Sequence, residues 1–234
     1  TVGFVKRDER SGLHEVATPV GVVAGIVPTT NPTSTTMYKA LISVKARNAV
    51  VISPHPRAKR CIAETCEIIR RAIERAGGPP DLVVCLNHPT IESTGALMKH
   101  RDVAVILSTG GSGLVRAAYS SGKPAYGVGP GNVPCYVDRT ADLGKAAEAV
   151  VSSQRFDNAT LCCSEQALVL DRPIAQRFLA EMQARGAHVA TDAERKRLEA
   201  FCNRGGQMNA DIVGIDPWRG AEQAGFHVPQ STTV

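Results

Sequence analysis

The sequence predicts an α/β protein: a parallel sheet with helices on both faces, followed by the start of a second α/β domain. Three observations carry this. Short apolar, β-rich runs recur at 20–27, 49–53, 82–86 and 103–107. Helical patterns fill the intervals between them, and Pro, Gly, Asn and Ser punctuate the strand exits. Apolar strands alternating with helices indicate a parallel sheet buried on both sides, whose ligands sit at the carboxyl ends of the strands.

In order along the chain, residues 1–19 are polar and read as an extended arm or hairpin. Strand 20–27 runs into a Pro/Thr/Asn turn, and a helix over 35–46 places Met37, Leu41 and Val44 on one face. Strand 49–53 ends at Pro54 and Pro56. The helix over 58–76 is stopped by Gly77-Gly78-Pro79-Pro80. Strand 82–86, a helix over 91–99 and the apolar strand 103–107 follow, and a glycine-rich turn opens a helix to residue 120. Strands near Ala125 and at 133–137 and a helix over 143–153 complete the first domain, 20–156. Strand 167–170 and helices over 173–185 and 193–203 belong to the second, 157–234.

Hydrophobic residues make up 43% and charged residues 21% of the 234, the balance of a globular protein. No apolar run reaches membrane-span length, and no basic-then-apolar leader is present, so a cytoplasmic setting is expected. The net charge of +5 comes from basic residues interleaved with acidic ones, and only 4% of residues are aromatic. That pattern fits solvated helix faces and an anionic small-molecule ligand better than nucleic acid. Seven cysteines with no C-x-x-C pair fit reduced thiols rather than disulfides or a metal site.

Four segments could carry chemistry. Cys162, with Cys163 beside it, lies on a polar loop where a thiolate nucleophile could form; the alternative is a thiol packed beneath a strand. Asn31 lies in a strand-to-helix turn, where its carboxamide could donate to an oxyanion or cap the helix. Residues 108–113, Ser-Thr-Gly-Gly-Ser-Gly, could present backbone N–H groups to a pyrophosphate, or form a tight connection requiring positive φ. Ser53-Pro54-His55-Pro56-Arg57, at a strand exit, lies where an adenosine could rest.

Seven segments in order resemble the aldehyde dehydrogenase superfamily, in particular its CoA-acylating branch. They are Pro28-Thr-Thr-Asn-Pro-Thr-Ser-Thr, Lys45-Ala-Arg-Asn-Ala, Ser53-Pro-His-Pro-Arg-Ala-Lys, Ser108-Thr-Gly-Gly, Ala118-Tyr-Ser-Ser-Gly-Lys-Pro-Ala, Gly127-Val-Gly-Pro-Gly-Asn, and Phe156-Asp-Asn with Cys162 and Ser164-Glu-Gln. The resemblance implies a Rossmann-like dinucleotide-binding domain and the beginning of a catalytic domain, in a chain that is a piece of a longer protein. It implies Cys162 as nucleophile and Asn31 as oxyanion donor. It implies cofactor contacts from Thr29, Thr30, Ser53, Pro54, His55, Ser108, Thr109, Gly110, Gly111, Gly127 and Gly129. NAD or NADP is the implied cofactor, CoA the co-substrate and a small aldehyde the substrate. A homodimer or higher homo-oligomer is expected, in the cytoplasm or a bacterial microcompartment.

One departure from the hydrolytic branch bears on the reaction. Hydrolytic relatives look like Glu-Leu-Gly-Gly where this chain has Gly127-Val128-Gly129-Pro130, and Gly127 has no side chain to activate water. The implied acyl-enzyme then waits for the CoA thiol. The alternatives are a hydrolytic enzyme and a nucleotide-binding module without activity.

Overall fold

The computed structural model describes residues 2–234; Thr1, the first residue of the expected arm, lies outside them. The chain forms two compact units, which divide between Pro130 and Gly131.

The first unit opens with an antiparallel ribbon of β1 (Gly3–Asp8) and β2 (Leu13–Ala17). A five-stranded parallel sheet follows, made of β3 (Val22–Val27), β4 (Ala49–Pro54), β5 (Val83–Cys85), β6 (Val103–Thr109) and β7 (Ala125–Val128). Its crossovers are α1 (Pro32–Lys45), α2 (Lys59–Arg75), α3 (Ile91–Lys99) and α4 (Ser112–Tyr119). The spatial order is β5-β4-β3-β6-β7. The chain therefore builds outward from β3 to one side, then crosses back to place β6 on the other. This is a doubly wound sheet whose switch point lies between β3 and β6.

The period of two in a strand sorts the core into two layers. Val23 and Val27 of β3 join Val50, Ile52, Ile62 and Cys66 against α1 and α2. Ala24 and Ile26 join Val103, Ile106, Met98 and Ala118 against α3 and α4. Both faces are covered, which is why the strands carry so few polar residues.

The face of α1 differs from its expected one. Met37 and Leu41 are 45% and 67% exposed, and Tyr38 and Ile42 are exposed with them. The buried face holds Thr35, Thr36, Lys39, Ala40 and Ser43. Small side chains bring the helix close to the sheet, so apolarity alone chose the wrong face. The helix also starts earlier than residue 35. Pro32 occupies its first turn, where a missing N–H costs nothing. The motif Lys45-Ala-Arg-Asn-Ala proves architectural. Arg47 turns back with φ 56°, and Asn48 Oδ1 accepts from the N–H of Val20 (2.7 Å) and Gly21 (3.0 Å), locking the entry to β3.

The second unit pairs β8 (Pro134–Val137) with β9 (Ala167–Leu170) in parallel through α5 (Leu143–Arg155). It continues through α6 (Ala175–Ala184), α7 (Asp192–Cys202) and α8 (Pro217–Gln223). The division falls earlier than the expected 156/157 because α5 buries Ala147, Val150 and Val151 against Phe178 and Met182 of α6. The strand near 133–137 pairs within this unit as well. Among the described residues no helix is long and apolar enough to cross a membrane.

Phe178 is fully buried at the centre of this second core. Phe178→Ala is expected to cost about 3–5 kcal/mol of stability in denaturant unfolding. A loss under 1 kcal/mol would mean that α5 and α6 do not share a core.

Candidate functional site

Two turns leave the carboxyl ends of the neighbouring strands β3 and β6. The first carries Pro28, Thr29, Thr30 and Asn31. Asn31 stands at the N-cap position of α1, yet its side chain makes no capping bond. Its backbone carbonyl accepts from Thr35 N–H at 3.1 Å, and its Oδ1 accepts from Thr30 Oγ1 at 3.3 Å. The amide Nδ2 donates to no protein group among the described residues. A capping carboxamide would use its oxygen on the helix N–H groups. Here the oxygen is occupied by Thr30, and the two N–H donors remain available to a ligand oxygen.

The second turn follows β6, which runs further than expected and includes Ser108 and Thr109. Gly110 N–H donates to Val128 O at 3.0 Å, and Gly111 is the exposed N-cap of α4. None of Gly110, Gly111 and Gly113 has positive φ, so the turn does not use glycine for a left-handed backbone. At Gly110 an added Cβ would lie 2.7 Å from Leu114 Cδ2, so the tip of that side chain would have to shift to admit one. At Gly111 nothing lies within 4 Å of such a Cβ, which leaves the start of α4 open to an approaching anion.

The hydroxyls expected at the cofactor face inward. Ser53 is 1% exposed and shares a 2.8 Å hydrogen bond with Thr94 of α3. Ser108 is also 1% exposed, and its Oγ has no partner among the described residues. Pro54 is buried. His55 is partly exposed and its Nδ1 accepts from Arg57 N–H at 3.2 Å. Burial, then the positive charge of Arg57, lowers the proton affinity of this imidazole.

Gly127 lies on β7, and its N–H donates to the Tyr119 hydroxyl at 3.0 Å. A Cβ there would meet Val115 Cγ1 at 2.6 Å and Tyr119 Cε2 at 2.9 Å, distances that real contacts do not reach. Gly129 has room, with Val115 at 3.8 Å.

In the second unit Cys162 and Cys163 are exposed free thiols. The loop before them holds three successive non-glycine residues in the left-handed region: Asp157 (φ 52°), Asn158 (φ 48°) and Ala159 (φ 56°). Asn158 Nδ2 steadies the turn by donating to Gly214 O (3.0 Å) and Asp216 Oδ1 (3.3 Å). Beyond the thiols, Gln166 exchanges hydrogen bonds with Val133 through its backbone N–H (3.0 Å) and its Oε1 (2.9 Å). Gln154 Nε2 donates to Glu165 O. Both ends of the cysteine loop are thus pinned while the thiols stay accessible.

Lys39 was not singled out in the sequence. It is 3% exposed, and its ammonium donates to Ile26 O and, at 2.8 Å, to Leu107 O. Burial lowers its pKa from 10.5 to about 7. The readable signal was its register: a lysine on the same helix face as Thr36, Ala40 and Ser43. Among the described residues no cluster of three or more His, Cys, Asp or Glu could hold a metal ion.

A model of the aldehyde dehydrogenase family matches residues 5–200. The chain is 46% identical, over its whole length, to the aldehyde-alcohol dehydrogenase of Streptococcus pneumoniae serotype 4, and spans 28% of that protein. An acetylating aldehyde dehydrogenase structure from Geobacillus thermoglucosidasius superposes with a TM-score of 0.94 at 50% identity, covering the whole chain and 52% of that structure. A Rhodopseudomonas palustris propionaldehyde dehydrogenase with bound propionyl-CoA superposes with a TM-score of 0.86 at 34% identity, covering 94% of this chain and 49% of that one.

Three outcomes follow from the geometry. Gly127→Glu should cost about 1–3 kcal/mol, because the new side chain displaces Val115 and Tyr119; unchanged thermal stability would refute the packing argument. Ala159→Gly should stabilise by about 1 kcal/mol by removing left-handed strain from a residue with a Cβ, which denaturant unfolding reads directly. Lys39 binds its proton less tightly folded, at about 7, than at its ordinary 10.5. The unfolded state therefore holds more protons between those values, and this residue's contribution makes stability rise with pH across that window. Subtracting the Lys39→Met pH profile from the wild type should reveal that rise.

Proposed function

The chain belongs to the aldehyde dehydrogenase family, and from that premise we propose that it carries the nucleophile and cofactor turns of a CoA-acylating aldehyde dehydrogenase. The substrate is a small aldehyde, and the products are acyl-CoA and NAD(P)H. The single observation that carries the acylating reading is Gly127, whose Cβ direction is filled by Val115 and Tyr119. The chain places no carboxylate there to activate water, and adding one would displace Val115 and Tyr119. The names of the relatives, and propionyl-CoA in one of them, support the same reading.

Cys162 as thiolate adds to the aldehyde carbon. In the first unit, the uncommitted Asn31 amide is assigned the role of donor to the oxygen that becomes negative. The exposed start of α4 and the neighbouring turns would hold the diphosphate of NAD(P)+, which when bound would supply the hydride acceptor. Collapse of the adduct leaves an acyl thioester on Cys162. The CoA sulfur attacks its carbonyl, and the Cys162 thiolate leaves. Each step is reversible, so acyl-CoA reduction runs through the same residues. The exposed apolar residues Phe4, Val5, Leu13 and Val16 on the β1–β2 ribbon support assembly as a homo-oligomer.

The test is NAD(P)H formation from short aldehydes, with and without CoA, in the intact protein. Turnover should require CoA and be abolished by Cys162→Ala. Asn31→Ala should lower kcat about 10²–10³-fold. Release of free acid in the absence of CoA at the same rate would overturn the acylating reading.

A further inference from the structure

We propose that Lys39 is a positioning residue for the bound dinucleotide, its buried ammonium tying the carboxyl ends of β3 and β6 together where the two candidate turns begin. This deepens the proposed function and rests on its assignment of a dinucleotide to that crevice.

The argument starts from where the nitrogen lies. Ile26 and Leu107 are the last residues but one or two of their strands, and the two strands are parallel neighbours paired Gly25 with Leu107 and Ile26 with Ser108. Lys39 donates to the carbonyls of both. It reaches them by laying its stem across Gly25, whose Cβ, if present, would lie 3.6 Å from Lys39 Cδ. The Asn31 turn leaves from one strand end and the 108–111 turn from the other, so a single side chain fixes their separation.

The choice of residue requires a reason. Among the described residues no carboxylate pairs with this ammonium, and burial lowers its proton affinity. An unpaired buried charge is expensive, and methionine would fill similar volume without that cost. An ammonium also carries three donors, of which the strand ends use two. A residue kept only for packing would be neutral. A cation at a switch point, lacking its counter-charge within the chain, complements an anionic ligand at the strand ends. The diphosphate of a dinucleotide is such a ligand. Its binding then favours the protonated amine, and the protonated amine favours binding.

The experiment is titration of NADH and NADPH into the intact protein, read by fluorescence from pH 6 to 9, with melting curves alongside. Lys39→Met should weaken binding about tenfold at pH 6. The gap from wild type should narrow toward pH 9, because the wild-type amine loses its proton over that range. Lys39→Gln, which keeps two N–H donors without the charge, should show a smaller loss that does not vary with pH. The melting temperature of Lys39→Met should not fall, and should rise at pH 6, where the buried charge it removes is costly. Unchanged dinucleotide affinity in Lys39→Met overturns the proposal, as does a pH-independent loss that appears only with a lowered melting temperature. Binding is read without turnover, so absence of CoA-dependent activity would refute the proposed reaction alone. A wild-type protein that binds neither dinucleotide would refute both.

Discussion

The parallel pairing of β3 with β6 is the constraint from which the first unit follows. Parallel strands need crossovers, and crossovers place helices on both faces. The chain leaves β3 toward β4 and β5, then returns to lay β6 on the opposite edge. Two turns that belong to different crossovers therefore open side by side at one end of the sheet. Asn31 comes from one of them and Gly110-Gly111 from the other. Gly25 helps the arrangement at close range, because an added Cβ would meet Ile52 Cδ1 at 2.8 Å and Val50 Cγ2 at 3.2 Å.

The second unit solves a different problem, exposing two thiols on a loop that is held at both ends. A left-handed residue with a Cβ costs about 1–2 kcal/mol, and this loop contains three in succession. Asp and Asn tolerate that backbone better than Ala does, and Asn158 is further held by Gly214 and Asp216. Gln154 and Gln166 anchor the far side through backbone groups. The strain is localised within five residues of Cys162, where a fixed backbone favours reaction geometry.

The sequence was most legible where one physical requirement dominates. Buried strands must be apolar, and glycines and prolines must mark their exits, so the sheet and its turns could be placed to within a few residues. Asn31 was visible as a polar group at a strand-to-helix turn, and the thiol loop as a polar segment between a helix and a strand. What could not be seen was the direction of side chains in three dimensions. Met37 and Leu41 have the spacing of a core stripe, but the sheet receives Thr36, Ala40 and Ser43, because close helix approach favours small groups over apolar ones. Ser53 and Ser108 occupy the expected strand ends, and an inward-facing hydroxyl reads the same in sequence as an outward-facing one. Lys39 looked like surface because lysines usually are. The unit boundary was misplaced because α5 is amphipathic in either assignment, and only its contacts with Phe178 and Met182 show which core it serves.

Gly127 shows how a missing functional group can be a property of packing rather than of one residue. Its hydrogen bond to Tyr119 brings β7 and α4 so close that the volume a side chain would need is already occupied. Restoring a carboxylate would require Val115 and Tyr119 to move, and with them the helix whose start stands open to an anion. The missing side chain at Gly127 and the close seat of α4 on β7 are then two aspects of a single close approach.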